Sequence, residues 1–390
     1  MIFKSSSPLS PTVEVAIDNV PVNYLTLQEI TVEEKEGMHT VASLNFVGMD
    51  PQLIHQYIDV PIKFSIELRE RSTFYFYGYI VYLEPMARAK DGVVNGSPFQ
   101  VTTVHCFGSS YIMKSLTSRV WESKTIAEIA SSIADKYSFS FSVPNNPFKF
   151  SRLVQSSQSD WEFLVNTAKK LGYSTVMDGT HLQIWDPFSS LYRNISYSML
   201  LTIRGGKGDV SPQPGQILNF EGRIGAITPD GARTPDTLHL LDKTGKLLSV
   251  ENGTEFQSSG LATAVKSRFS NVLNTNVDSY DMGKSLVTGA LRKKFPMTAN
   301  LQVVADPSIH PGGIVNINEY NSEFDGFWYV VSVRHELTQS YMVTHLELAR
   351  DSLGNTDDAK QVSVARISPP DPALINNAWV SSKNYSDVYV

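Results

Sequence analysis

At 390 residues, 42% hydrophobic and 18% charged with a formal net charge of −6, the chain has the composition of a soluble, slightly acidic protein of two or three domains. The balance carries no basic excess for neutralising phosphates, which argues against nucleic-acid binding. Cys106 is the only cysteine, so an intrachain disulfide is excluded. The start "MIFKSSSPLSPTVEVAID" lacks a signal-peptide core and no stretch reaches the roughly 18 apolar residues of a membrane span, so folding in a cytoplasm is expected.

Residues 12 to 112 read as strand throughout. "TVEVAID" puts Val13, Val15 and Ile17 on one side, because side chains alternate faces along a strand. "HTVASLNFVG" alternates again after a turn at Glu36–Gly37, "VPIKFSIELRERSTFYFYGYIVYLEPM" gives two strands about a charged turn near Arg71, and "SPFQVTTVHCFGSSYIM" another. Strands with short polar turns predict a small antiparallel barrel or sandwich over 1–114. The pattern then changes. "SKTIAEIASSIADKY" places Ile126, Ile129, Ala130, Ile133 and Tyr137 at helical spacing, with Ser123 or Thr125 as the cap. After a short strand, "FSFSV", Ser159 and Glu162 form a capping box for a second helix that buries Phe163, Leu164, Ala168 and Leu171 and stops at Gly172. "STVM-DG-THLQIW" is a hairpin turning at Asp178–Gly179. Residues 115–203 are thus a small α/β module inserted between β regions.

"RGGKGDVSPQPGQ" (204–216) reads as a linker or long loop. Strands resume at "ILNFEGRIGAI" and in the hairpin "TLHLLDKTGKLLSV"; helices are predicted at about 260–273 and 282–295. "MTANLQVVAD", "GGIVNINEY" and a last hairpin complete a second β domain over 204–350. Residues 351–390, polar and proline-containing, read as an extended or disordered arm. The predicted class is mainly β with an α/β insertion.

The last hairpin, "DGFWYVVSVRHELTQSYMVTHLELAR", carries two histidines. A tight turn at Gln339–Ser340 sets Leu337 opposite Met342, Val333 opposite Leu346, Val331 opposite Leu348 and His335 opposite Thr344. His345 then lies on the other face with Arg334, Glu336 and Glu347, so the imidazoles cannot share a metal. One extra turn residue would bring them together, at the cost of setting leucines against charges. The expectation is a half-buried His335 with a local hydrogen bond and an exposed His345. Other candidates are weighed the same way. No HExxH, CxxC or GxSxG pattern occurs. "GGKG" at 205–208 lacks phosphate-loop spacing. Asp306 and His310 in "DPSIHPGG" read as a turn, Glu33, Glu34 and Glu36 as a solvated hairpin tip, and Trp161 and Trp185 as core of the module. No catalytic, cofactor or metal site is expected.

The order of parts resembles the baseplate or tail hub proteins of bacteriophages, a family that includes late-control tail proteins and the hub portion of secretion-system spike proteins. "TIAEIASSIADKYSFSFSV" with "QSSQSDWEFLVNTAKKLGYSTVMDGTHLQIWDP" resembles its inserted module, "ADPSIHPGGIVNI" its strand and Pro-Gly turn, and "GFWYVVSVRHELTQSYMVTHLELAR" its closing hairpin. The likeness spans most of residues 12–350. It implies two barrels related to the tail-tube protein, three chains forming a pseudo-sixfold ring between tail tube and central spike, and a channel that passes DNA without binding it specifically or holds the end of the tape-measure protein. It further implies a virion protein assembled in the host cytoplasm, in contact with the tail tube or a distal tail protein and with other baseplate proteins through residues 352–390, where Trp379 and Tyr385 are anchors. The puncturing spike is expected to be a separate polypeptide. The alternative is a tail-tip protein that binds or degrades peptidoglycan with a carboxyl pair, which no spacing singles out.

Overall fold

The structure, a computed structural model, describes residues 11–22, 26–49, 54–68, 72–94, 97–187, 200–204, 215–224, 237–241, 244, 246–252, 272–276, 297–304, 306–318, 324–338 and 341–350. The first strands are β1 (Thr12–Ile17), β2 (Val20–Pro21), β3 (Thr26–Lys35), β4 (Val41–Val47), β5 (Pro61–Leu68), β6 (Ser72–Val94) and β7 (Ser97–Gly108). Their period-two pattern buries Val13, Val15 and Ile17, then Ala42, Leu44 and Phe46, then Ile62, Phe64, Ile66 and Leu68, all in one core with Phe74 and Phe76.

The α/β module contains β8 (Leu116–Lys124), α1 (Ile126–Lys136), β9 (Ser140–Ser142), β10 (Phe150–Ser159), α2 (Asp160–Lys170), β11 (Ser174–Asp178) and β12 (His181–Trp185). Thr125 caps α1 in a reciprocal box with Glu128, and the Ser159 hydroxyl accepts from the Glu162 N–H at the start of α2. α2 ends in a Schellman motif: Gly172 at φ +76° donates to Lys169, and Tyr173 donates to Ala168. The β11–β12 pairing reaches Asp178 opposite His181, so the two turn residues are Gly179 and Thr180, one place beyond the predicted Asp178–Gly179. The helices and hairpin enclose a separate core of Trp121, Ile129, Ile133, Trp161, Phe163, Leu164 and Leu182, among others.

The remaining strands are β13 (Leu200–Arg204), β14 (Ile217–Ile224), β15 (Thr237–Leu241), β16 (Leu247–Asn252), β17 (Val272–Asn276), β18 (Met297–Val304), β19 (Ile314–Asn318), β20 (Gly326–Thr338) and β21 (Met342–Arg350). A third core, centred on Trp328, Val330, Val333, Leu301, Leu346 and Leu348, is built from β14 and β18–β21. β15 and β16 form the predicted hairpin, and β17 runs parallel to β15. The predicted helices at 260–273 and 282–295 fall outside the described residues, except that Val272 and Leu273 open β17. The class is mainly antiparallel β with an α/β module, as the sequence predicts.

The first and third regions are two copies of one strand pattern. In the first, neighbours run β5–β6–β7–β4–β3; in the third, β19–β20–β21–β18–β14, with every pair antiparallel. Chain order is the same in both. The irregularities coincide as well. β6 slips against β7 between Ile80 and Tyr82, and β20 slips against β21 between Val330 and Ser332. β3 slips against β4 between Leu27 and Glu29, and β14 slips against β18 between Ile217 and Asn219. Bulges re-aim a strand at fixed places, so their coincidence fixes the alignment residue by residue. Tyr79-Ile80-Val81 stands where Tyr329-Val330-Val331 stands, and "VASLNFV" of β4 where "TANLQVV" of β18 stands.

Candidate functional site

The two copies are joined edge to edge. β20 offers one edge to β21 and the other to two strands in turn: residues 326–329 pair with β19, and 332–338 pair antiparallel with β3 of the first copy. Arg334 lies directly opposite Glu33, and His335 opposite Val32. This pairing makes both regions one 13-stranded sheet. Val304, Leu337 and Met342 of the second copy reach into the core of the first, so the ladder is backed by apolar packing.

The tip of the β3–β4 hairpin is wedged between the second copy and the α/β module. Glu36 N–H donates to the Val331 carbonyl, and Gly37 N–H donates to the Thr175 carbonyl at 2.7 Å. The Glu36 carboxylate accepts from Ser174 Oγ at 2.8 Å and from the Tyr329 hydroxyl, which itself accepts from Trp185 Nε1 at 2.8 Å. Glu34 is only 5% exposed and holds His310 Nδ1 at 2.8 Å. The expectation of a solvated tip is therefore corrected: Glu34 and Glu36 are interior acceptors, and only Glu33 is exposed. Trp185 is likewise placed differently from expectation. It packs with Val176 and Tyr329 at this joint rather than in the module core, whereas Trp161 does lie in that core.

The predicted hairpin register holds from Leu337–Met342 through His335–Thr344 to Val333–Leu346. Beyond it the bulge leaves Val331 out, and Val330 rather than Val331 faces Leu348. His335 is 1% exposed, more deeply buried than expected, with Nδ1 3.0 Å from Thr344 Oγ1. His345 is on the other face, partly exposed, 3.3 Å from Glu336. The two histidines do not meet. His310 instead stacks on Phe74, which His335 meets edge-on, so two histidines of the second copy pack against a phenylalanine of the first.

These two imidazoles titrate in opposite directions. Burial, aided by the neighbouring His310 charge, lowers His335 to about 3. Burial alone would also lower His310, but the Glu34 carboxylate prevails and raises it to about 9. Since unfolded histidine titrates near 6.5, the His335 contribution is complete above that pH and is lost as pH falls towards 3. The His310 contribution is complete below 6.5 and is lost as pH rises through about 9. The joint contribution of the two histidines is therefore largest near pH 6.5, with H335L expected to reduce the loss of stability on the acid side and E34Q the loss on the alkaline side. Unchanged losses in both variants, read from urea midpoints across pH, contradict this assignment.

Asp306 accepts from the Ser308 backbone N–H at 3.1 Å, which makes the predicted turn, while His310 turns away to Glu34. "GGKG" at 205–208 lies outside the described residues, as does the Gln339–Ser340 turn. Among the described residues no group of three or more His, Cys, Asp or Glu side chains is placed to hold a metal ion, and no helix is long and apolar enough to cross a membrane.

Comparison with known proteins agrees with a tail-protein architecture. A tail protein from Neisseria meningitidis MC58 superposes with a TM-score of 0.61 at 12% identity, covering 88% of this chain and 97% of that one. A 43 kDa tail protein of prophage MuSo2 from Shewanella oneidensis gives 0.58 at 12% identity, covering 90% and 99%. An E. coli component of the type VI secretion system, described as structurally similar to bacteriophage T4 tail proteins, gives 0.54 at 9% identity, covering 91% and 80%. At these identities the likeness is one of fold. A family model, the Alg8 N-terminal domain, matches residues 99–339, more than half of the sequence, and the chain belongs to that family. No curated protein matches the sequence.

Proposed function

We propose that the chain is a non-catalytic structural hub of a phage tail tip or baseplate. Three copies form a pseudo-sixfold annulus that joins the sixfold tail tube to a threefold central spike and lets DNA pass during ejection. One observation carries this reading: the chain contains two copies of one strand pattern, with two irregularities at equivalent places, joined edge to edge through β20 and β3. A repeat that pairs with its own second copy in a head-to-tail sense has a further pairing edge at each end. Such heterologous contacts close into rings when the rotation permits. Two repeats per chain let three chains present six equivalent faces to the tube and three to the spike. The fold shared with tail proteins supports the same role.

In this reading the chain divides into a first tube-like barrel (1–114), the inserted module (115–203), a second barrel (204–350) and an arm (351–390). The partners are a second and third copy, the tail tube or a distal tail protein, the spike and the end of the tape-measure protein. DNA passes without specific binding, as suits a chain of net charge −6. Light scattering on the purified chain, with a cell-wall clearing assay beside it, tests the role. A three-chain particle without lytic activity is the expected result; lysis by a single chain overturns it. Residues 352–390 attach neighbouring baseplate proteins, so deleting them is expected to abolish assembled, infective tails. A full yield of such tails from the deletion contradicts that role.

A further inference from the structure

The repeat identifies the two edges through which one copy of the chain meets the next. Within the chain, the junction uses the part of β20 beyond β19 and the whole of β3. The repeat equivalents of these strands are β6 and β14. β6 extends past its partner in the same way: Tyr79 is the last residue paired with β5, just as Tyr329 is the last paired with β19. Both strands then bulge at the next residue but one and continue, held by β7 or β21 on the other edge. Where β20 goes on to pair with β3, β6 has no described strand on that edge from Tyr82 onwards. β14 pairs only with β18 among the described strands and stands at the end of the sheet. An edge of unpaired N–H and C=O groups is a template for another strand.

We propose that β6 of one copy pairs antiparallel with β14 of a second copy, in the register that β20 and β3 use within the chain. This rests on the annular reading above and says where the annulus closes. The register follows from the bulge alignment. Leu83, Glu84 and Pro85 stand where Val333, Arg334 and His335 stand. Ile217, Gly222 and Arg223 stand where Leu27, Val32 and Glu33 stand. Arg334 opposite Glu33 therefore becomes Glu84 opposite Arg223, the same opposition of unlike charges with its signs exchanged. Pro85 falls opposite Gly222.

The chemistry of the two edges agrees with this pairing. The Glu84 side chain is 60% exposed, and Arg223 is exposed on the outer face of β14. Opposite charges directly across a ladder stabilise it, and like charges destabilise it. β6 paired with β6 about the same position would oppose Glu84 to another Glu84, so the edge selects β14. Pro85 lacks an N–H, so the junction has one hydrogen bond fewer than its intrachain counterpart. It also blunts the edge towards unrelated strands. Gly222 fits its place because a Cβ there would lie 2.5 Å from the Phe324 ring that covers it.

The test is a disulfide across the junction. Directly opposed residues in a ladder carry Cβ atoms about 4.5–5.5 Å apart, within reach of a disulfide after small adjustment. The natural Cys106 is 1% exposed, and burial pushes its thiol up, so it stays out of the reaction. The full-length E84C/R223C variant, mildly oxidised, is expected to run as a covalent three-chain species on a non-reducing gel and to revert with reductant. E84C alone and R223C alone are expected to stay as single chains. A three-chain mass in solution without the covalent species overturns the edge assignment and leaves the annulus standing. A single-chain mass with no cross-link overturns both. A ladder of ever longer covalent species overturns closure.

Discussion

G312A is expected to lower the stability of the folded chain by roughly 2–4 kcal/mol, from left-handed backbone strain and overpacking together. Gly312 sits at φ +84°, and a Cβ there would lie 2.7 Å from Cζ2 of the Trp185 ring. The ring has little freedom to retreat: it is 7% exposed, and its Nε1–H is bound to the Tyr329 hydroxyl, which in turn donates to Glu36. Displacing Trp185 therefore loosens the chain of contacts that fastens the module to both copies of the repeat. G215A is the control, because Gly215 has φ +78° but open space around its Cβ position. It is expected to lose only the backbone part, about 1–2 kcal/mol. Equal losses in the two variants, measured from urea midpoints at constant slope, contradict the role given to Trp185.

D160A is expected to be at least as damaging, costing on the order of 3–5 kcal/mol, the usual result of removing one partner of a buried ion pair. Asp160 is fully buried at the first turn of α2. Its Oδ2 accepts from Lys136 Nζ at 2.8 Å and Tyr137 Oη at 2.9 Å; its Oδ1 accepts from Gln155 Nε2 at 2.8 Å and Thr117 Oγ1 at 3.1 Å. Removing the carboxylate takes the acceptor from the buried donors Gln155 and Tyr137 and from the partly exposed Lys136 and Thr117. Lys136 is 39% exposed, so water recovers part of its loss and the effect falls towards the lower end of that range. Burial alone would raise the Asp160 carboxyl, but the hydrogen bonds from Lys136, Gln155 and Tyr137 outweigh it and hold it below its ordinary value of 3.8. Its contribution is therefore complete above pH 3.8 and is lost as pH falls through the lower folded value. A variant whose midpoint moves by no more than that of an exposed alanine substitution contradicts this account.

Much of the architecture is written in local patterns. The period-two burial of Val13, Val15 and Ile17, the helical spacing of Ile126, Ile129 and Ile133, and the Leu337–Met342 register all follow from sequence spacing alone. What joins the parts does not. Glu34 and Glu36 look like a charged turn, because nothing nearby in sequence reveals that Ser174, His310 and Tyr329 will surround them. Asp160 reads as a helix-start carboxylate, because its partners Thr117 and Lys136 lie more than twenty residues away. Bulges are equally hidden, and one of them moves Leu348 from Val331 to Val330. The repeat itself had a faint trace in Tyr-Ile-Val and Tyr-Val-Val, too short to be recognised without the strand order on either side.

In the proposed annulus, the repeat lets one ladder geometry serve as both the internal and the external joint. Within the chain, β20 and β3 show that the pattern tolerates a neighbour on that edge, with unlike charges facing across the ladder and a shared apolar core behind it. In the proposed annulus, such joints would let the chain meet a sixfold tube and a threefold spike without an adaptor. Electron-microscope images of the assembled full-length chain test this claim most directly. The account predicts particles of three times the 43.3 kDa chain mass, with six similar β lobes around a central hole. A single-chain particle, or an assembly whose two halves per chain are not related by rotation about a common axis, would contradict it.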